Sequence, residues 1–144
     1  MIKLSTKGRY GTRAIMDLAL HFKDKPILLK DIAKREEISI RYLEQIIIPL
    51  KIAGLVKSVR GAKGGYKLAR PPSEIKLGEV IQALEGSWSF VECVDDPSYC
   101  SRISICPTYE IWRNAKKVLD QVFQNTTVQD LVNIAQKKRK IKAR

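Results

Sequence analysis

The chain has 144 residues, of which 44% are hydrophobic, and 27 Lys and Arg stand against 15 Asp and Glu, a formal net charge of +12. That much apolar side chain supports a packed core and excludes wholesale disorder, at a length of one domain or a small domain with an appendage. The positive excess points to a polyanionic partner, with nucleic acid ahead of an anionic membrane surface.

The first periodic stretch covers residues 6–22, where Tyr10, Ala14, Leu18 and Phe22 repeat every fourth position on one face of a helix. It shows no secretory cleavage pattern, and no apolar run reaches the roughly 20 residues of a membrane span. A cytoplasmic protein without a membrane partner is the expectation. "KDKP" at 23–26 breaks the pattern, and "LLKDIAKREE" follows as a short amphipathic helix with Leu29, Ile32 and Ala33 on one side. A third helix starts with Ser39 as its N-cap, repeats Ile40, Leu43, Ile47 and Leu50, and stops at Gly54. Pro49 lies inside it and predicts a bend or a loosened last turn.

The period then changes. Leu55, Val56, Val59, Tyr66 and Leu68 flank a glycine-rich turn from Gly61 to Gly65, which reads as a β-hairpin with a long basic tip. Three helices and a basic hairpin are the order of a winged helix-turn-helix. "IKLGEVIQALEG" adds a helix that closes this unit, with Val80, Ile81 and Leu84 facing in. From Pro107 a stripe of Ile111, Trp112, Ala115, Val118, Leu119, Val122 and Phe123 predicts a helix to about Gln124. Little else in the chain can cover that stripe, so a second copy on a two-fold axis is expected. A last helix over roughly 128–137 starts at Thr127, and the end of the chain is basic and frayed. The fold class is therefore mostly α with a small β-hairpin, a winged helix-turn-helix followed by a long dimerisation helix. The expected divisions are 1–86 for the winged unit, 87–106 for a cysteine-containing sensor loop, 107–137 for the dimerisation and C-terminal helices, and 138–144 for the tail.

In a helix-turn-helix the second helix enters the major groove. Its outward residues here are Ser39, Arg41, Tyr42, Glu44, Gln45 and Lys51. Arg41 can pair bidentately with guanine, Gln45 with adenine, and Glu44 can accept from cytosine N4. Ser39 and Tyr42 suit phosphates. The hairpin tip adds Arg60, Gly61, Lys63 and Lys67, with an arginine able to enter the minor groove. Lys3, Lys7, Arg9 and Arg13 can track the DNA backbone. The predicted partner is double-stranded DNA with a palindromic site. The competing use of the same unit is protein docking with a solvated basic face.

All three cysteines, Cys93, Cys100 and Cys106, fall in one segment as C-x6-C-x5-C. This is neither the paired spacing of a zinc ribbon nor a C-x-x-C redox motif. Clustered cysteines in a reducing compartment point to metal binding or redox work. Catalysis is not expected. One histidine, no convincing nucleophile dyad and a "GAKGG" turn without the spacing of a phosphate loop argue against an enzyme.

"LSTKGRYGTRAIMDLAL", "YLEQ" at 42–45, "RGAKGGY" at 60–66 and "GEVIQALEG" resemble the winged-helix repressors that include IscR-type iron–sulfur, NsrR-type nitric-oxide and CymR-type cysteine-metabolism regulators. The resemblance spans nearly the whole chain. It implies homodimers on palindromic operators, with DNA contacts from Ser39, Glu44, Gln45, Arg60 and Gly61. It also implies an iron–sulfur cluster on Cys93, Cys100 and Cys106, with [2Fe–2S] and [4Fe–4S] both open. Two ligand positions depart from the pattern. Tyr109 stands where the IscR-type branch has histidine, and Arg9 where the NsrR-type branch has aspartate. The fourth ligand stays open among Glu110, Asp95, Asp96, Tyr109, His21, a partner-subunit residue and an exogenous thiol. The CymR-type branch has no cluster, which leaves control by thiol oxidation or by a protein partner as the alternative.

Overall fold

The computed structural model describes residues 3–23 and 25–143. Asp24 of the "KDKP" break and Arg144 at the end of the basic tail lie outside the described residues. Within them are helices α1 (Thr6–Leu20), α2 (Leu29–Glu36), α3 (Ile40–Ile52), α4 (Leu77–Glu85), α5 (Glu92–Asp95), α6 (Pro107–Asn125) and α7 (Val128–Lys142), with strands β1 (Val56–Val59) and β2 (Gly65–Leu68). The strands form one antiparallel hairpin. Among the described residues no helix is long and apolar enough to cross a membrane.

Helix α1 lies at the centre. Ser5 caps it by accepting from the Gly8 N–H at 3.1 Å, and Ala14, Ile15 and Leu18 are fully buried. Its glycines set how near α4 comes: a side chain at Gly11 would collide with Leu84, and one at Gly8 with the Glu85 carboxylate. Two arginine–carboxylate links of opposite direction then join α1 to α2. Arg35 grips the buried Asp17 with two hydrogen bonds of 2.8 Å, and Arg13 reaches the Glu36 carboxylate at 3.1 Å. The bidentate bond to Asp17 raises the Arg35 pKa above its ordinary value, although burial opposes it. Such a link matters chiefly because losing Arg35 would leave a buried carboxylate unpaired.

Three residues, Glu37 to Ser39, turn α2 into α3. Glu37 closes α2 in the left-handed region, at φ 53° and ψ 47°. Ser39 opens α3 by accepting from the Tyr42 N–H at 3.2 Å. The buried stripe of α3 is Leu43, Ile46, Ile47 and Leu50. Ile40, expected in that stripe, is 46% exposed, and Ile46 takes the core position instead. The helix runs past Pro49 to Ile52 and ends where expected. Gly54, at φ 74°, lets its N–H reach Lys51 O at 2.9 Å while the Leu55 N–H reaches Leu50 O at 3.0 Å. These are the paired bonds of a Schellman stop, with Leu50 and Leu55 both fully buried.

The hairpin register pairs Val56 with Leu68 and Val59 with Gly65. Ile27 extends it as a short third rung: its N–H donates to Tyr66 O at 2.8 Å, and the Tyr66 N–H donates back at 2.7 Å. After α6 the chain returns to the same body. The Leu77 N–H donates to Thr126 O at 2.8 Å and the Val128 N–H to Ile75 O at 2.9 Å. Val128 and Val132 of α7 then complete the core. Helix α7 does not fray after residue 137 but continues to Lys142.

Glu37 is exposed and carries the strain of a left-handed Cβ, roughly 1 kcal/mol. Thermal unfolding should show Glu37→Gly more stable than the parent chain and Glu37→Val less stable. Equal midpoints for all three would mean that the turn relaxes without strain.

Candidate nucleic-acid interface and cysteine segment

The outward side of α3 is assembled as the spacing predicts. Ser39, Arg41, Glu44, Gln45 and Lys51 are exposed. Arg41 and Gln45 lie four residues apart and share one face. Ile48, 57% exposed, continues that face, a position the sequence left unassigned within the "III" run. An exposed aliphatic group in that line suits a thymine methyl. Tyr42 is half-buried, its ring edge-on to Tyr10 with centroids 5.8 Å apart, so it braces α3 on α1 as well as presenting a hydroxyl.

Arg60, Gly61 and Lys63 form an exposed wing tip. Gly61 has φ 108°, and the Gly64 N–H closes the tip onto Gly61 O at 2.9 Å. Open space surrounds the Gly61 Cα, so the backbone there can approach a partner closely. Lys67 sits within β2, opposite Lys57, rather than at the tip. Of the α1 cations expected to track DNA, Arg13 is occupied by Glu36 and its guanidinium also lies over Tyr10. Arg9 sits over the same ring, 5.7 Å from its centroid.

The cysteines occupy a chain of short turns between α4 and α6. Cys93 is in α5, Cys100 follows the 3-10 turn Pro97–Tyr99, and Cys106 immediately precedes α6. All three are free thiols and half-buried. The Thr108 hydroxyl, 3.2 Å from the Cys106 sulfur, and the Tyr109 backbone N–H hold the Cys106 thiol below its ordinary pKa. The start of a helix favours a thiolate in the same direction. Three such thiols have the donor chemistry of an iron–sulfur centre. Yet among the described residues no three His, Cys, Asp or Glu side chains are gathered closely enough to hold one metal ion.

The fourth-ligand candidates are scattered and engaged. Tyr109 is buried, 8% exposed, with the Arg113 guanidinium 5.8 Å from its ring centroid. Glu110 pairs with Arg113 at 2.5 Å. Asp96 accepts from the Ser98 N–H at 3.0 Å. His21 is held at the end of α1, its Nδ1 2.8 Å from Asp17 O. Asp95 accepts from the Ser87 and Ser89 hydroxyls, which keep its carboxyl below the ordinary range.

These serines flank Trp88. The Trp88 indole N–H donates to Asp120 of α6 at 2.8 Å, and its ring packs edge-on against Phe123 at 5.2 Å. Lys116 reaches Asp120 at 3.1 Å and lies over the Trp88 ring. Trp112 packs against Phe90, with centroids 6.3 Å apart. Both tryptophans thus pack the segment onto α6. The other edge of α6 is bare, with Ile111, Val118 and Val122 half or more exposed.

A family model described as "Rrf2: Iron-dependent Transcriptional regulator" matches residues 4–134. "Protein rrf2" of Nitratidesulfovibrio vulgaris is 41% identical over 134 residues, 93% of this chain and 89% of that protein. The solved structure of CymR, the global cysteine regulator of B. subtilis, superposes with a TM-score of 0.78 at 40% identity, covering 93% of this chain and 98% of the other. That of T. potens IscR gives 0.77 at 45% identity, covering 92% and 88%. The chain belongs to the Rrf2 family of transcriptional regulators, DNA-binding proteins rather than enzymes.

Proposed function

We propose that the protein is a homodimeric repressor that reads a palindromic operator and whose affinity is set by an iron–sulfur cluster on Cys93, Cys100 and Cys106. The observation that carries the DNA reading is the exposed Arg41–Glu44–Gln45 face of α3, set behind a three-residue turn and followed by a wing tip bearing Arg60 and Lys63. In this reading residues 1–86 are the reading head, 87–106 the sensor and 107–137 the dimer arm. Arg41 and Gln45 address base edges, Ser39 and Tyr42 the phosphates, and Arg60 with the Gly61 backbone the adjoining groove.

The bare edge of α6 supports the dimer. Beside it lies an almost wholly apolar groove of about 330 Å³, lined by Met16, Leu77, Ile81, Phe123 and Leu131 among others. A second copy of α6 is an occupant of matching chemistry, and two-fold pairing gives two reading heads for two half-sites.

A cluster, when bound, supplies a redox-labile and nitric-oxide-reactive centre. The chain supplies three thiols, and hydrogen bonds from Thr108 and the Tyr109 N–H hold that of Cys106 below its ordinary pKa. The donors lie apart, so ligation draws the 93–106 segment together. Asp95 and Trp88 carry that rearrangement to α6. The same spread of donors, and the lowered pKa of the Cys106 thiol, favour a second reading in which the segment senses by thiol oxidation or through a protein partner.

Anaerobic reconstitution with iron and sulfide separates the two. The cluster reading predicts brown protein with visible thiolate-to-iron absorption, lost on Cys93→Ser, Cys100→Ser or Cys106→Ser. Protein that takes up neither iron nor sulfide contradicts it and leaves the thiol or partner reading. On the palindrome upstream of the protein's own gene, Gln45→Ala should weaken binding by about 1–3 kcal/mol and relax preference at one base pair. Arg60→Ala should weaken binding with no change in melting temperature. Unchanged affinity in both variants would point to protein docking instead.

A further inference from the structure

Helix α7 has two unlike halves. Its first half is anchored by Val128 and Val132 in the core. From Gln136 to Ala143 every residue is exposed. That second half carries Lys137, Lys138, Arg139, Lys140 and Lys142, and no acidic residue occurs from Leu131 onward. Among the described residues none of these five cations forms an ion pair, whereas Arg13, Arg35, Arg70, Arg113 and Lys116 all do. The helix nonetheless stays formed through Lys142, so the charges stand on a rigid support rather than on a solvated tail. At 1.5 Å per residue, the stretch from Gln136 to Lys142 projects about 9 Å.

At the base of that projection α7 lines a cleft of about 430 Å³, with Gln129, Val132 and Gln136 on one side and Leu20, Phe22 and Lys23 on the other. Arg139 and Lys140 lie three and four residues beyond Gln136 and continue its face. Across the cleft, Lys23 and the exposed Lys25 lead into α2. In a helix-turn-helix the first helix of the pair lies across the phosphate backbone. Gln136 and Lys23 line the same cleft, so the base of the basic segment lies beside the loop that enters α2.

We propose that the last two turns of α7, together with Lys23 and Lys25, form a second DNA-contact surface that binds the phosphate backbone outside the segment read by α3 and the wing. This rests on the DNA reading of the head and extends it. It makes the footprint longer than the recognised palindrome, with flanking contacts that depend on charge and not on sequence. Cations on an ordered helix suit this use, because the backbone entropy of the segment is already lost on folding and only the side chains remain to be ordered.

The test is the salt dependence of binding for Arg139→Gln/Lys140→Gln/Lys142→Gln. Glutamine keeps helix propensity close to that of the residues replaced, and far-UV circular dichroism checks that α7 persists. Binding is followed by fluorescence anisotropy on a long duplex centred on the upstream palindrome and on one trimmed to the palindrome. Each lost phosphate contact lowers the slope of log K against log salt concentration by about 0.9. With three cations replaced in each of two protomers, the expected result is a slope shallower by up to about 5 on the long duplex and no difference on the trimmed one. Equal slopes on the long duplex would overturn the proposal. So would the same change on both duplexes, since that is the signature of a general field and not of a local contact. Failure of the DNA reading looks different: the parent chain would bind neither duplex, and both proposals would fall.

Discussion

The close approach of α1 to α4 is the constraint on which the rest depends. At Gly8 and Gly11 α1 presents bare backbone, and Leu84 and Glu85 occupy the space. Any larger residue at position 11 would force Leu84 out of its place. Helix α1 then serves several partners at once: α2 through Asp17–Arg35 and Arg13–Glu36, α3 through Tyr10 against Tyr42, and α7 through the core at Val128 and Val132. A helix packed on so many sides transmits displacement instead of absorbing it, because close-packed interiors have little free volume.

In the proposed reading, that property would give the cysteine segment a route to the DNA-reading head. The segment is tied to α6 by Trp88, Asp120 and Lys116. Helix α6 meets α4 at another glycine: a side chain at Gly78 would contact the Gln124 amide. The short rung between residues 75–77 and 126–128 holds the end of α6 to the head. Helix α4 closes on α1, and α1 positions α2 and α3. Each step is a packed or hydrogen-bonded contact, and Asp95, with two serine hydroxyls, marks where the route begins.

Much of the head was legible from the chain because its signals are local. Ser39 and Gly54 bound α3 through hydrogen bonds to near neighbours, and the 61–65 glycines demanded a hairpin. The Arg41–Gln45 face followed from helical period alone. The failures are non-local. Ile40 and Ile46 are equally apolar, and only the placement of α1 decides which is buried. The basic end of α7 carries enough charge to suggest fraying, but anchoring of the first half by Val128 and Val132 lets the helix continue. The cysteine segment has no period to read. Its order comes from Trp88 and Asp95 meeting residues up to 32 positions away in the chain. The spacing of the cysteines announces a site without fixing its geometry.

The central claim is that the cysteine segment and the DNA-reading head are one mechanical unit. Hydrogen exchange on the apo and the anaerobically reconstituted protein tests it most directly. Protection should rise across residues 87–106 and extend through the Gln124 end of α6 into α4 and the Gly8–Gly11 turns of α1. A change confined to residues 87–106, with α4 and α1 exchanging identically in both forms, would contradict the account.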